Sequence, residues 1–418
     1  MLKQVEGSVS TAEAIALCRP EIICAYPITP QTHIVEGLGR LVKKGVLKNC
    51  NFINVESEFG ALSACIGSSL AGARTYTATA SQGLLFMTEA VYNASGMGLP
   101  IVMTLGVRTI GGPINIWNDH SDAMAMRDAG WLQLFAETNQ EAADLHIQAF
   151  KIAEALSVPV MVCMDGFILT HAVERVDIPT QEEVDAFLPP FEPVQTVDPK
   201  APMSIGSMVG PEAFTELRAL QNTKYEQAKT LIPDVAKEFK AKFGRDSGGL
   251  VRSYRTEDAD FAVVAMGSVN GTIKDTIDEL RETGLKIGLV TVVSFRPFPT
   301  VALRDALKKF KQVVVVDRAF SFGKSGPLAE DVENALVGLP HMPQVLSVIA
   351  GLGGRAVTRK SLKEVFHKVK KEPWQGMLFL DLNQKIVDEE LDHINKVRRS
   401  GPMAENILQR VKKNTAAE

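Results

Sequence analysis

No stretch of this 418-residue chain approaches the roughly 18 consecutive apolar residues that suggest a membrane span. Met1 to Thr11 lacks the apolar core of a secretory signal, so a cytoplasmic protein with no membrane role is expected. Cysteine is scarce: Cys18, Cys24, Cys50, Cys65 and Cys163 form no CxxC pair and are not grouped with histidine at metal-ligand spacing. Small buried hydrophobes are their expected role, and any redox centre is expected in another polypeptide. Basic charge is not concentrated either. With a net charge of −4 and no basic stripe interleaved with aromatics, nucleic-acid binding has no support. Phosphate-loop chemistry is also missing, because Gly267-Ser268-Val269-Asn270-Gly271 lacks the lysine and the spacing and reads as an ordinary strand-to-helix turn. Gly351-Leu352-Gly353-Gly354-Arg355 is not followed by a helix of the dinucleotide-binding kind. Asp165-Gly166 has no second acidic group and downstream asparagine at metal-and-diphosphate spacing.

What is present is an ordinary globular composition, 45% apolar and 22% charged, long enough for two or three cores. Over residues 1–180, β-branched runs alternate with amphipathic segments, which predicts a parallel sheet covered by helices on both faces. Strands are expected at Ile22 to Tyr26, Phe52 to Val55, Thr75 to Thr79, Ile101 to Val107 and Val158 to Met164. Ser10 with Glu13 predicts a capping box for the first helix, and Thr29 before Pro30 an N-cap for the second. Ser57 is the expected cap of the third, Ser81 with Gly83 opens the fourth, and a long helix is expected from Gln140 to Leu156. Residues 181–249 read as a proline-rich connector with a polar helix near Glu212 to Phe243, and a domain boundary is expected near Gly248. Strand and helix alternate again over 250–372, a second and smaller α/β domain, followed by a charged helical tail over 373–418 whose last residues, Lys412 to Glu418, read as disordered.

In a doubly wound sheet, ligands collect at the carboxyl ends of the strands. Tyr26-Pro27-Ile28-Thr29-Pro30, Glu58 and Arg108 all fall at such ends, and their convergence on one crevice is the expectation that carries a function. Glu58 in the first turn of a helix also suits the helix dipole, Thr29 also suits simple capping, and Arg108 also suits a surface position. Asn118-Asp119-His120-Ser121-Asp122 looks metal-like but lacks calcium-loop spacing, so loop hydrogen bonding is its expected role. Arg296, Arg318 and Lys324 read as a solvated basic face, with nucleotide contacts as the alternative.

Taken together, Tyr26-Pro27-Ile28-Thr29-Pro30-Gln31-Thr32, Ser57-Glu58-Phe59-Gly60-Ala61, Thr79-Ala80-Ser81-Gln82-Gly83-Leu84, Asn115 to Asp122 and Asp165 to His171 resemble the alpha subunit of pyruvate:ferredoxin oxidoreductase and related 2-oxoacid:acceptor oxidoreductases. Ser294 to Pro299 and Asp317-Arg318 extend the resemblance to about residue 370. It implies a pyrimidine-binding, doubly wound domain of a thiamine diphosphate enzyme, followed by a transketolase C-terminal-like α/β domain. It also implies a beta subunit that holds the diphosphate, Mg2+ and an iron-sulfur cluster, gamma and ferredoxin-like delta subunits, and ferredoxin or a NAD-reducing subunit as acceptor. Coenzyme A is the implied co-substrate. By the resemblance Glu58 bonds the pyrimidine N1′, Arg108 binds the 2-oxoacid carboxylate and Thr29 contacts the substrate. Pro27, Ile28, Gln82 and Phe86 are implied cofactor neighbours. Gly111 and Gly112 after Arg108 are expected to line the substrate pocket. Pyruvate is the favoured substrate, because no second arginine stands beside Thr29; a branched 2-oxoacid or phenylglyoxylate is the alternative if the two glycines leave room. A non-catalytic assembly subunit is the alternative of another class.

Overall fold

The computed structural model describes residues 2–397 and 401–415. The chain opens with β1 (Leu2–Glu6) and continues through β2 (Ile22–Ala25), β3 (Asn51–Asn54), β4 (Thr75–Thr79), β5 (Val102–Val107), β6 (Leu132–Phe135), β7 (Val160–Asp165) and β8 (Val173–Asp177). After a connector come β9 (Val251–Tyr254), β10 (Phe261–Ala265), β11 (Ile287–Val292), β12 (Ser294–Arg296), β13 (Gln312–Asp317), β14 (Gln344–Ile349) and β15 (Met377–Phe379). Seven strands form the first sheet in the order β12-β6-β7-β5-β4-β2-β3, parallel except where β12 meets β6. Six form the second, β15-β14-β13-β10-β11-β9, parallel except for β9. β1 and β8 pair separately as an antiparallel ribbon.

The parallel interior follows from the sequence of its strands, for β4, β5 and β7 are buried at every position and continuously apolar or small, as strands covered on both faces must be. The helix Asn139–Leu156 is capped by Thr138, whose hydroxyl accepts the Glu141 N–H at 3.1 Å, and buries Ala143, Ile147, Phe150 and Ala153 against one face. The long helix Pro211–Phe243 packs on it through Ala228, Ile232, Val235 and Phe239. The other face is different in kind. There Met103, Trp131 and Phe135 share one apolar cluster with Val264, Val292 and Phe295, so the two sheets are joined by a common core. At about 1.5–3 kcal/mol for each large apolar side chain withdrawn from water, that shared cluster couples the two halves firmly.

Several expectations are corrected. The second helix is Thr32–Lys43 with Gln31 at its N-cap, so Thr29 caps nothing; the Thr29-Pro30 peptide is cis, and Pro30 lies against Gly106 and Gly166 in a turn ahead of the helix. The first helix starts at Gly7, not at Ser10, whose hydroxyl donates to the Gly7 carbonyl at 2.9 Å, while Glu13 pairs with Lys3. The fourth helix does open at Ser81, as expected, with Ala80 as its N-cap. β12 enters the first sheet from a segment read as part of the second half. Arg318 belongs to no solvated face: it is 4% exposed and pairs with Asp165 at 3.3 Å, while Arg296 pairs with Asp331 and Lys324 with Glu330. In the tail, residues 403–415 are helical, so Lys412 and Lys413 are ordered; the rest of the expected disordered end, 416–418, lies outside the described residues. Four of the five cysteines are buried and Cys50 partly so, and burial pushes Cys24 and Cys50 up to about 11.

Candidate active site

The order of strands in the first sheet reverses beside β2, because the chain crosses from β3 on one side of β2 to β4 on the other. A crevice forms outside the carboxyl ends of such neighbouring strands. Four loops meet there, following β2, β3, β4 and β5 in turn.

Ser57, extended at φ −160°, accepts the Gly60 N–H on its hydroxyl at 3.1 Å and so starts the helix Glu58–Leu70 with Glu58 as its first residue. The positive end of the helix favours a carboxylate at that place. Glu58 is 8% exposed, yet its carboxylate has no hydrogen-bond partner among the described residues. It lies over Gly83, where a Cβ would fall 2.7 Å from both the Cγ and Oε1 of Glu58 and 2.6 Å from Thr79 Oγ1. Bare backbone at 83 is what makes room for the side chain. Thr79 Oγ1 is itself buried without a partner.

Arg108 directly follows β5 and is 6% exposed. Its guanidinium donates to the Thr29 carbonyl at 2.7 Å and to Gln82 Oε1 at 3.0 Å, and its Nε is buried without a partner among the described residues. Burial pulls the guanidinium below its usual range, and the charge of Asp122 opposes this. No carboxylate of the described residues forms an ion pair with it. Asp122 acts on the backbone instead, accepting the Ser81 N–H at 2.8 Å and the Arg108 N–H at 3.0 Å, and so ties the ends of β4 and β5 together. Burial pushes the Asp122 carboxyl up to about 8 against the pull of those N–H donors.

Gln82 stands against Gly111, where a Cβ would lie 2.1 Å from Gln82 Nε2, and Gly166 is equally restricted because a Cβ there would lie 2.5 Å from Pro30 Cγ. Thr29, Gln82, Arg108 and Gly111 are thus brought together, with Glu58 alongside across Gly83. Pro27 and Ile28 lie on the turn that carries Thr29, and Gly112 is exposed. Phe86 is 61% exposed and its ring meets Phe59, centroids 6.4 Å apart. Tyr26, Ile116 and Trp117 are exposed near the same strand ends.

Asp165 ends β7 and closes the crevice from below. It accepts from His120 Nε2 at 3.0 Å and from the Ser268 backbone N–H at 2.7 Å, and it pairs with Arg318. Burial alone would raise its carboxyl, but Arg318 and His120 hold it well below the usual carboxylate range. Sequence reasoning placed Asp122 in a loop cluster and Gly83 at a helix start without reaching their places here, and it did not pair Asp165 with Arg318. The available signal was weak: an aspartate in the first turn of the short helix Ser121–Ala125, and an arginine after the apolar run of β13. Within the 118–122 segment, Asp119 makes the expected loop hydrogen bonds, accepting from Thr109 Oγ1 and from Ser121, while His120 and Asp122 bond to the strand ends.

The fold and these groups define a doubly wound α/β subunit whose polar crevice lies at a topological switch. Residues 13–237 match the family described as pyruvate flavodoxin/ferredoxin oxidoreductase, thiamine diphosphate-binding, and residues 259–362 match pyruvate:ferredoxin oxidoreductase core domain II. The chain belongs to the pyruvate:ferredoxin oxidoreductase family, in its alpha-subunit branch. It is 46% identical over 390 residues to the pyruvate synthase subunit PorA of Methanosarcina barkeri, covering 92% of this chain and 97% of that one. It is 46% identical to PorA of Thermotoga maritima, with 87% and 93% covered, and 40% identical to the ketoisovalerate oxidoreductase subunit VorA of Pyrococcus horikoshii, with 90% and 95% covered. Among solved structures, the fold resembles a 2-oxoglutarate:ferredoxin oxidoreductase from Magnetococcus marinus with a TM-score of 0.64 at 18% identity; the match covers 88% of this chain and 65% of that one. A split-gene transketolase is similar with a TM-score of 0.52 at 13% identity, covering 88% of this chain and 98% of that one. No helix among the described residues is long and apolar enough to cross a membrane.

Proposed function

We propose that this chain is the alpha subunit of a coenzyme A-acylating 2-oxoacid:ferredoxin oxidoreductase, with pyruvate as its favoured substrate, and that Glu58, Arg108 and Thr29 are its contribution to the reaction. One observation carries the reading: Glu58, 8% exposed, holds a carboxylate that has no hydrogen-bond partner among the described residues, at a helix start beside a glycine that clears its path. A buried polar group is nearly always satisfied, so a donor from outside this chain completes it. The protonated ring nitrogen of an aminopyrimidine is such a donor, and the family description supports thiamine diphosphate as its source. Thiamine diphosphate, when bound, supplies the electron sink for breaking the bond between the carboxyl and carbonyl carbons of the 2-oxoacid.

The chain's own residues orient and exchange protons. Glu58 holds a proton at the ring nitrogen, where the low dielectric of the crevice strengthens the interaction. Arg108 offers a fixed guanidinium, anchored by Thr29 and Gln82, to the carboxylate of the 2-oxoacid. Thr29 is exposed, with its carbonyl bonded to Arg108. We assign the diphosphate, Mg2+ and iron-sulfur clusters to partner subunits, a beta chain foremost. The exposed aromatic groups Tyr26, Phe59, Phe86 and Trp117 flanking the crevice support a protein partner there. The pyruvate synthase relatives favour pyruvate, and the VorA relative keeps a branched 2-oxoacid as the second reading. None of these relatives supports phenylglyoxylate. In the assembled complex, Glu58→Gln is expected to abolish 2-oxoacid turnover and exchange of the cofactor C2 proton while leaving subunit composition intact. Exchange at the wild-type rate in this variant would refute the assignment.

A further inference from the structure

Two motifs that no step above uses, Gly351 to Gly354 and Asn115 to Asp119, are held against each other. Asn115 Nδ2 donates to the Gly353 carbonyl at 3.2 Å, the Gly353 N–H donates to Asp119 Oδ2 at 3.1 Å, and the Gly354 N–H donates to the Asn118 carbonyl at 2.9 Å. The same Asp119 oxygen accepts from Thr109 Oγ1 at 2.9 Å, one residue beyond Arg108, while Oδ1 accepts from Ser121 N–H and Oγ at 3.0 and 2.6 Å. One buried carboxylate therefore joins the start of the 109–120 loop, its end, and a turn from the other half of the chain. Contact is close enough to demand glycine. A Cβ on Gly353 would lie 2.6 Å from Asn115 Nδ2, and one on Gly354 2.3 Å from Trp117 Cβ. Between the loop and the second half lies a cavity of about 620 Å³, with Ile110, Gly111 and Gly112 on one wall and Phe320, Phe322 and Leu352 on the other.

We propose that the Gly351–Gly354 turn, acting through Asp119, sets the position of the 109–113 loop, so that the second half of the chain determines which 2-oxoacid fits beside Arg108. Asp119 is a positioning residue in this scheme, and the turn is its support. The inference rests on the reading of Arg108 as the carboxylate site. A displacement of about 1 Å in a substrate-positioning loop changes rates by up to about a hundredfold.

The test uses the assembled complex with Gly354→Ala, Asp119→Asn and the control Gly376→Ala. Gly376 has a similar φ of +72° but nothing within 4 Å of an added Cβ, so it carries the backbone strain without the contact. For Gly354→Ala and Asp119→Asn we expect KM for pyruvate to rise about tenfold or more, and the preference for pyruvate over 2-oxoisovalerate to shift by a similar factor. KM for coenzyme A and the affinity for thiamine diphosphate stay at the wild-type values, as do all parameters of Gly376→Ala. If Gly354→Ala fails to assemble, Asp119→Asn decides. Wild-type turnover of 2-oxoacids with unchanged selectivity in the variants, or with every kinetic constant worsening together, overturns this inference alone. A wild-type complex that turns over no 2-oxoacid overturns it together with the proposed function.

Discussion

Arg108→Met removes the guanidinium while keeping an apolar stem of similar length, and the structure fixes what should follow. Two hydrogen bonds are lost, to the Thr29 carbonyl and to Gln82 Oε1, but Gln82 Oε1 keeps the Ser81 hydroxyl at 2.5 Å. No carboxylate is orphaned, because none is paired with Arg108 among the described residues. The folding cost is therefore that of ordinary hydrogen bonds, about 1–2 kcal/mol, offset in part by no longer burying a charge. Substrate binding suffers more. Two unit charges 4 Å apart attract by about 4 kcal/mol at an effective dielectric of about 20. Water that enters the vacated space returns part of this, leaving about 2–3 kcal/mol, or about 30- to 150-fold in affinity for the 2-oxoacid. The assay is steady-state reduction of an electron acceptor by the assembled complex, with 2-oxoacid and coenzyme A varied separately. KM for the 2-oxoacid should rise by that factor while KM for coenzyme A stays constant and the subunits remain associated. Equal increases in both constants, or no increase in either, would show that Arg108 is a structural cation and not a carboxylate site.

Gly83→Ala places a methyl group 2.7 Å from Glu58 Oε1, so thiamine diphosphate affinity, read by fluorescence titration of the complex, should fall by about tenfold or more; unchanged affinity would separate Glu58 from the cofactor. His146, fully buried, bonds Thr104 Oγ1 and the Ala142 carbonyl at 2.6 Å each, and burial lowers its pKa from 6.5 to about 4. Because the unfolded chain takes up a proton below about 6.5 and the folded one only near 4, this group's contribution is complete above the first value and is lost as pH falls to the second. The stability advantage of wild type over His146→Gln should thus shrink by roughly 3 kcal/mol across that interval in denaturant titrations, and a constant difference would contradict the assignment of a neutral imidazole.

Local signals were legible where local physics decides. β4 falls where its β-branched run put it, and Ser57 caps its helix because an extended serine three residues ahead of a free N–H has little else to bond. The approach of Thr29 and Arg108 was legible because strand ends in a doubly wound sheet share one edge. Thr29 as a cap was misread, since threonine before proline describes a turn as well as a helix start. Long-range choices left no local trace. β12 is three residues whose place is set by pairing with β6, some 160 positions earlier in the chain. Arg318 looked like any basic residue after a strand, and only the fold brings it to Asp165. Gly83 needed the path of Glu58 to be seen as more than a helix residue.

The treatment of buried charge divides the molecule in two. Asp144 is held by Arg245 and Ser247, Glu154 by Arg74, Asp165 by Arg318, His120 and Ser268, and Asp317 by the N–H groups of Leu328 and Ala329. These are satisfied networks, and breaking a buried ion pair by removing one partner costs about 3–5 kcal/mol; the Asp165–Arg318 pair joins the two halves of the chain. Glu58 and Arg108 stand outside that rule within one crevice: among the described residues the carboxylate has no hydrogen-bond donor and the guanidinium no ion-pair partner, although the charge of Asp122 still acts on it. They do not neutralise each other, although a fold selected only for stability would gain by pairing them. On the proposed reading each keeps its charge available in a different direction, the one toward a cationic nitrogen and the other toward an anion. A 2-oxoacid carboxylate and a protonated pyrimidine meet both demands at once, whereas a nucleotide or a metal ion would meet at most one.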